Sequence, residues 1–164
     1  MSTPIQIFLG LGSNQGNKLE NIKKSCVMIG EKAGIITGLS SFYITKAWGN
    51  TDQEDFINQV ISLETKQSPQ KLLETLLQIE KDSGRERIEK WGPRIIDIDI
   101  LYYGNKIIDM PDLKIPHPYL HLRNFVLYPL NEIAPDFIHP VLKQDTKQLI
   151  INSEDKQEVA QLKL

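Results

Sequence analysis

The sequence predicts an α+β fold, an antiparallel sheet with helices packed on one face. Two observations carry this. Apolar residues alternate with a period of two or recur at helical spacing in the order strand, helix, strand, strand, helix, strand. That order is the split βαβ, or ferredoxin-like, pattern, here followed by C-terminal additions. The second observation excludes the main competitor. Gly10, Gly12 and Gly16 follow a strand and precede a helix, but their spacing is one residue too long for a dinucleotide fingerprint. No phosphate loop of the G-x-x-x-x-G-K-[ST] type occurs either.

At 164 residues, with 40% hydrophobic and 24% charged residues, residues 1–164 read as one soluble domain able to bury a core. From about Asn152 the chain turns polar and is expected to fray. The net charge of −2 argues against a general nucleic-acid or membrane binder, so any basic site must be local. The single Cys26 excludes an intramolecular disulfide. No signal pattern or long apolar run occurs, and a cytoplasmic location is expected.

Ile5 to Leu11 reads as the first strand, running into a glycine loop over 10–16 that allows close backbone approach. A helix follows, with Asn17 as N-cap and Leu19, Ile22, Cys26 and Ile29 at helical spacing, which makes Cys26 a packing residue. Ile36 to Thr45 reads as one strand, then a polar loop containing Trp48. Phe56 to Glu64 reads as the next strand, with Phe56, Asn58, Val60 and Ser62 on one face. Asn58 on a half-buried strand needs a partner, either a substrate amide or the backbone. Ser68 and Pro69 start a helix that Gly84 stops. Glu80 in its last turn reads as solvated or as a polar contact to a ligand. A hairpin arm over 106–108, a short helix from Arg123 through about Leu130, ended near Pro129 or the Ala134-Pro135 pair, and a last helix over 145–151 complete the chain.

The chemistry concentrates between Lys90 and Leu101. In a strand, Ile96, Ile98, Ile100 and Tyr102 would face one way, and Ile95, Asp97, Asp99 and Leu101 the other. The two carboxylates then stand roughly 6.6 Å apart along one face. Such oxygen donors suit Mg²⁺ held jointly with substrate phosphates. Arg85, Arg87, Lys90 and Arg94 cluster just upstream, and cations beside a metal-binding pair suit a polyphosphate between them. His117 and His121 are four apart, but Pro116 and Pro118 argue against a helical zinc site.

These residues resemble the 6-hydroxymethyl-7,8-dihydropterin pyrophosphokinase family. W-G-P-R-x-x-D-x-D-x-L is intact from Trp91 to Leu101. G-S-N at 12–14, S-S-F-Y-x-T at 40–45, G-R-x-R at 84–87, P-H-P at 116–118 and R-x-F-V-L-x-P-L-x-E-I-A-P from Arg123 accompany it. The resemblance implies a two-Mg²⁺ enzyme that moves the β,γ-diphosphate of ATP onto the pterin hydroxymethyl oxygen and releases AMP. It implies that Asp97 and Asp99 hold both metals and that Arg85 and Arg94 stabilise the transferring phosphates. Glu80, Arg87, Lys90, Ile100, His117 and Arg123 would contact ATP. Phe56 and Phe125 would sandwich the pterin, Asn58 would read its edge with Thr45 and Trp48 nearby, and Trp91 would close over the site. A phosphate oxygen, water or Asp99 could accept the proton. ATP and the hydroxymethyl dihydropterin are the expected partners, and a monomer the expected state. The chain departs from the family at Lys46-Ala47, where a proline is frequent, at Tyr119 and Leu122, where Arg and Glu are frequent, and at Lys90, often Arg.

Two other functional classes fit the sequence less well. A non-catalytic ligand-binding module of the same fold should lack the paired aspartates and their flanking cations, which are present. An RNA-binding domain should show strand aromatics in an RNP pattern and a basic face, which are not evident.

Overall fold

The computed structural model describes residues 3–45, 54–84 and 95–164. The strands are β1 (Ile5–Ser13), β2 (Ile35–Leu39), β3 (Tyr43–Thr45), β4 (Phe56–Thr65), β5 (Asp97–Tyr103), β6 (Ile108–Met110), β7 (Leu113–Ile115) and β8 (Val159–Gln161). The helices are α1 (Lys18–Lys32), α2 (Pro69–Asp82), α3 (Asn124–Ile133) and α4 (Thr146–Ile151). The main sheet runs β5-β1-β4-β3-β8, with β2 also on β4, and its pairings are antiparallel. β6 and β7 form a separate hairpin, which starts at Ile108 rather than Lys106.

Strand alternation gives the sheet two apolar faces. Ile7, Leu9 and Leu11 of β1 meet Ile61 and Leu63 of β4, Ile22 and Ile29 of α1, and Leu72, Leu76 and Ile79 of α2. Phe8 and Val60 point the other way, against Val126, Leu127 and Leu130 of α3 and Leu149 of α4. The sheet is therefore covered on both faces, where one helical face was expected from the sequence. The second layer comes from the C-terminal additions.

The caps anticipated from the sequence are in place. The Asn17 side chain accepts from the Glu20 amide, Ser68 accepts from Lys71, and Gly84 follows α2 at φ 89°. Burial pushes the Cys26 thiol up to about 11, consistent with a packing role.

Several expectations change. β1 continues through Ser13, so Gly10 and Gly12 lie within the strand and not in a loop. The single strand expected over 36–45 is broken at Ser40, which leaves the ladder while its hydroxyl accepts from the Val60 amide. A register shift between β1 and β5 leaves Leu101 without a partner on β1. Tyr103 then joins Ile98 and Ile100 in the first core, while Tyr102 moves with Leu101 to the second. Of the two ends left open for the helix after Arg123, the Ala134-Pro135 pair is the one used: α3 runs to Ile133 with Pro129 inside it, because buried Val126, Leu127 and Leu130 hold it to the sheet. The tail is ordered rather than frayed, since β8 pairs with β3. No helix among the described residues is long and apolar enough to cross a membrane.

Candidate active site

The sheet positions the carboxylate pair. Asp97 lies opposite Gly12 and Asp99 opposite Gly10 in the β1–β5 ladder. Cross-strand partners share a face, so both aspartates stand on the α3 side of the sheet beside positions without side chains. The glycines leave the room: a Cβ at Gly12 would lie 2.9 Å from Asn58 Oδ1 and 3.6 Å from Phe56 Cδ1. The apolar residues that alternate with the aspartates, Ile98 and Ile100, face the helical core instead.

His117 and Arg123 bring nitrogen donors to the carboxylates. His117 Nε2 is 3.8 Å from Asp99 Oδ2. Its Nδ1 accepts from the Tyr119 amide at 3.2 Å, which leaves the ring proton on Nε2, facing the aspartate. Burial and the neighbouring Arg123 push the imidazole down to about 4, against the pull of Asp97. The ring is thus a neutral donor near neutral pH. Arg123 lies 4.9 Å over the Tyr119 ring and 5.6 Å over the Phe125 ring. Burial lowers its pKa while Asp99 and Asp97 oppose that shift, and a guanidinium stays charged throughout. Arg123 therefore joins the acidic pair to the Phe125 ring.

Asn58 extends the same face. It pairs with Gly12 on one side and Tyr43 on the other. It is 6% exposed, and its Nδ2 has no hydrogen-bond partner among the described residues. An unpaired buried donor costs about 1–3 kcal/mol, so it marks a place where a partner belongs. The backbone alternative left open by the sequence is not what this donor uses. Phe56 and Phe125 are each half-buried, on β4 and α3. Thr45 pairs with Phe56 and is buried, its hydroxyl donating to the Glu158 carbonyl at 3.4 Å.

Two expected site residues turn their side chains away from the carboxylate face. The Ile100 side chain packs into the helical core, so only its backbone could meet a ligand. Glu80 is not solvated: it is 3% exposed and accepts from the Ile98 amide at 2.7 Å. It anchors the outer edge of the strand that carries both aspartates. Trp48, Arg85, Arg87, Lys90, Trp91 and Arg94 lie outside the described residues.

Sequence reasoning quoted Glu132 only as part of a motif. Its carboxylate accepts from the Ser41 amide at 2.9 Å, the Ser41 hydroxyl at 2.7 Å and the Tyr43 hydroxyl at 2.7 Å. Burial pulls its pKa up, but the Tyr43 and Ser41 hydrogen bonds outweigh this and hold it below the usual range. The motifs at 40–45 and 123–135 therefore meet in space, which their separation in sequence conceals.

Fold and site together define a class: an α+β protein that offers an acidic pair, a half-buried guanidinium and flanking aromatics on one face of an antiparallel sheet. The model of 7,8-dihydro-6-hydroxymethylpterin-pyrophosphokinase (HPPK) matches residues 8–135, and the chain belongs to that family. It is 43% identical over 142 residues to the 2-amino-4-hydroxy-6-hydroxymethyldihydropteridine pyrophosphokinase of Aquifex aeolicus, covering 87% of this chain and 88% of that protein. The protein of the same name from Synechocystis is 43% identical over 143 residues, covering 87% and 73%. Among solved structures, HPPK-DHPS in complex with substrates superposes with a TM-score of 0.68 at 18% identity, covering 90% of this chain. Wild-type Plasmodium falciparum HPPK-DHPS with pteroate gives 0.71 at 17%, covering 91% of this chain. The chain spans 43% and 44% of those two longer chains, and at that identity they speak to the fold alone.

Proposed function

We propose that this chain transfers the β,γ-diphosphate of ATP to the hydroxymethyl oxygen of 6-hydroxymethyl-7,8-dihydropterin and releases AMP, a step of folate biosynthesis. The observation that carries the reading is the Asp97–Asp99 pair beside Gly12 and Gly10, faced by His117 and Arg123. The family and the names of its similar members support the substrates. The sheet order supports the finer ferredoxin-like reading. The first and last strands of the repeat, β1 and β5, are neighbours, and β4 separates β1 from β2 and β3.

The donor set fits Mg²⁺. Two carboxylates share one face, and the glycines beside them keep that face open. A pair of carboxylates, with substrate phosphates completing the shell, is how this ion is commonly held. Asp97 and Asp99 would hold two such ions, which would neutralise charge on the diphosphate.

The chain's own residues do the rest. The reaction forms a bond from the pterin oxygen to the β-phosphorus. It breaks the bond from that phosphorus to the oxygen bridging to the α-phosphate, and the hydroxyl proton leaves. Little covalent work falls to the protein, so positioning and charge dominate. His117 Nε2–H and the Arg123 guanidinium donate to phosphate oxygens, and Arg85 and Arg94 take the same role in this reading. Arg87 and Lys90 lie along the ATP, and the Ile100 backbone serves as its contact at the edge of β5. Glu80 acts there by fixing Ile98. Asn58 Nδ2 donates to the pterin edge, Phe56 and Phe125 stack on its faces, Thr45 and Trp48 border it, and Trp91 closes over the site.

The test is turnover with ATP, Mg²⁺ and the hydroxymethyl dihydropterin, separated by chromatography. Conversion of the pterin to its diphosphate ester, dependent on both substrates, is expected. ATP consumption with unchanged pterin overturns the proposal.

A further inference from the structure

The C-terminal tail lies beyond residue 135, where the family match ends. It nevertheless touches both sides of the proposed pterin site. On one side, β8 pairs with β3, Val159 opposite Thr45 and Gln161 opposite Tyr43. The Thr45 hydroxyl donates to the Glu158 carbonyl, and the Leu162 amide donates to the Phe42 carbonyl at 2.8 Å. Thr45 is in turn the ladder partner of Phe56. On the other side, the Asp155 carboxylate accepts from the Asn124 amide at 2.8 Å, and the Asn124 side chain donates back to the Asp155 carbonyl at 3.2 Å. Asn124 opens α3 and immediately precedes Phe125. Arg123, the N-cap of that helix, makes no side-chain cap of its own. Asp155 therefore supplies the missing acceptor, and its remaining oxygen accepts from the Gln157 amide at 2.9 Å, which directs the chain back toward β3.

The geometry points to residues 153–162 as a strap that sets the gap between the Phe56 strand edge and the Phe125 helix, with Asp155 as its positioning residue. Phe56 and Phe125 sit on different elements, β4 and α3, and Glu132 of α3, bonded to Ser41 and Tyr43, ties the far end of that helix to the same strand region. A strap joining Thr45 to Asn124 constrains both at the residues adjacent to the rings. The inference rests on the pterin reading of the site. It makes the tail a determinant of pterin affinity through Thr45 and Asn124.

The experiment measures pterin binding and binding of a non-hydrolysable ATP analogue separately, by calorimetry with Mg²⁺. The proteins are the full chain, Asp155→Ala, Asp155→Asn and a chain ending at Asn152. Asp155→Ala is expected to weaken pterin binding about ten-fold, the size of a lost cap transmitted to the site, and ATP-analogue binding less than three-fold. Asp155→Asn keeps a cap acceptor and should stay within about two-fold of the full chain. The truncated chain should lose at least as much pterin affinity as Asp155→Ala. Hydrogen exchange without ligand reads the strap directly: faster exchange at 56–58 and 125–127 in Asp155→Ala supports it. Unchanged pterin binding in both Asp155→Ala and the truncated chain overturns the strap while leaving the pterin reading intact. Equal loss of both ligands overturns it in favour of general destabilisation. If the full chain binds no pterin, the reading of the site fails and the strap falls with it.

Discussion

Replacing Asn58 by leucine should stabilise the ligand-free protein while crippling pterin binding. Asn58 is 6% exposed, and its Nδ2 finds no partner among the described residues. An unpaired buried donor costs about 1–3 kcal/mol, whereas an apolar group of similar shape carries no such penalty. Leucine matches asparagine in branching and heavy-atom count, though its methyl groups are bulkier, and Phe56 already gives the neighbourhood an apolar surface. After allowing for imperfect packing, a gain of about 1 kcal/mol is expected, or roughly 2–4 °C in Tm for a domain of this size. Binding should move oppositely. In the proposed function the variant would lose the amide hydrogen bond to the pterin edge and leave polar groups of the ligand buried without a partner. Together these amount to about 2–4 kcal/mol, or roughly 30- to 1,000-fold in Kd. Scanning fluorimetry of the ligand-free protein and calorimetry with the pterin measure the two effects. A destabilised variant with normal pterin affinity would refute the argument, because Asn58 would then be a structural amide.

Asp97→Ala and Asp99→Ala should each lower turnover by about 10³-fold or more while the protein stays folded, since Ile96, Ile98 and Ile100 keep the strand in the core. Activity beside thermal unfolding without Mg²⁺ checks this, and near-normal turnover in either variant contradicts it. Glu80→Ala should cost about 2–4 kcal/mol of stability, because the Ile98 amide loses its acceptor inside the fold, and Glu80→Gln should recover part of that; urea unfolding of the two variants decides. Acid stability gives a further check at His139, which is 4% exposed and accepts from the Val141 and Leu142 amides through Nδ1. Burial, with His121 adding a smaller push, lowers it to about 4 from 6.5, so between those values the unfolded chain binds more protons. Its contribution is present above about pH 6.5 and is lost as the pH falls toward 4, and His139→Asn should flatten that limb of Tm against pH.

Much of this was legible in the sequence because it depends on local rules. Asn17 and Ser68 as caps, Gly84 as a stop and the face shared by Asp97 and Asp99 follow from spacing alone. What was concealed depends on pairing across the sheet. The shift that sends Tyr102 to the second core arises from how β5 registers against β1, and no feature of I-D-I-D-I-L-Y-Y announces it. Glu80 reads as a helix-end carboxylate until the edge of β5 is placed beside it. The tail reads as frayed because its composition is polar, yet its stability comes from backbone pairing and from Asp155 at the start of α3. Both depend on where the chain returns, which local composition does not encode.

The central claim, transfer of a diphosphate group at the Asp97–Asp99 face, is tested most directly by the nucleotide left behind. The enzyme should be incubated with ATP, Mg²⁺ and the hydroxymethyl dihydropterin, and the products followed by ³¹P NMR. The account predicts one AMP for each pterin ester formed, with no accumulation of ADP. Stoichiometric ADP, with a single phosphate on the pterin, would contradict it.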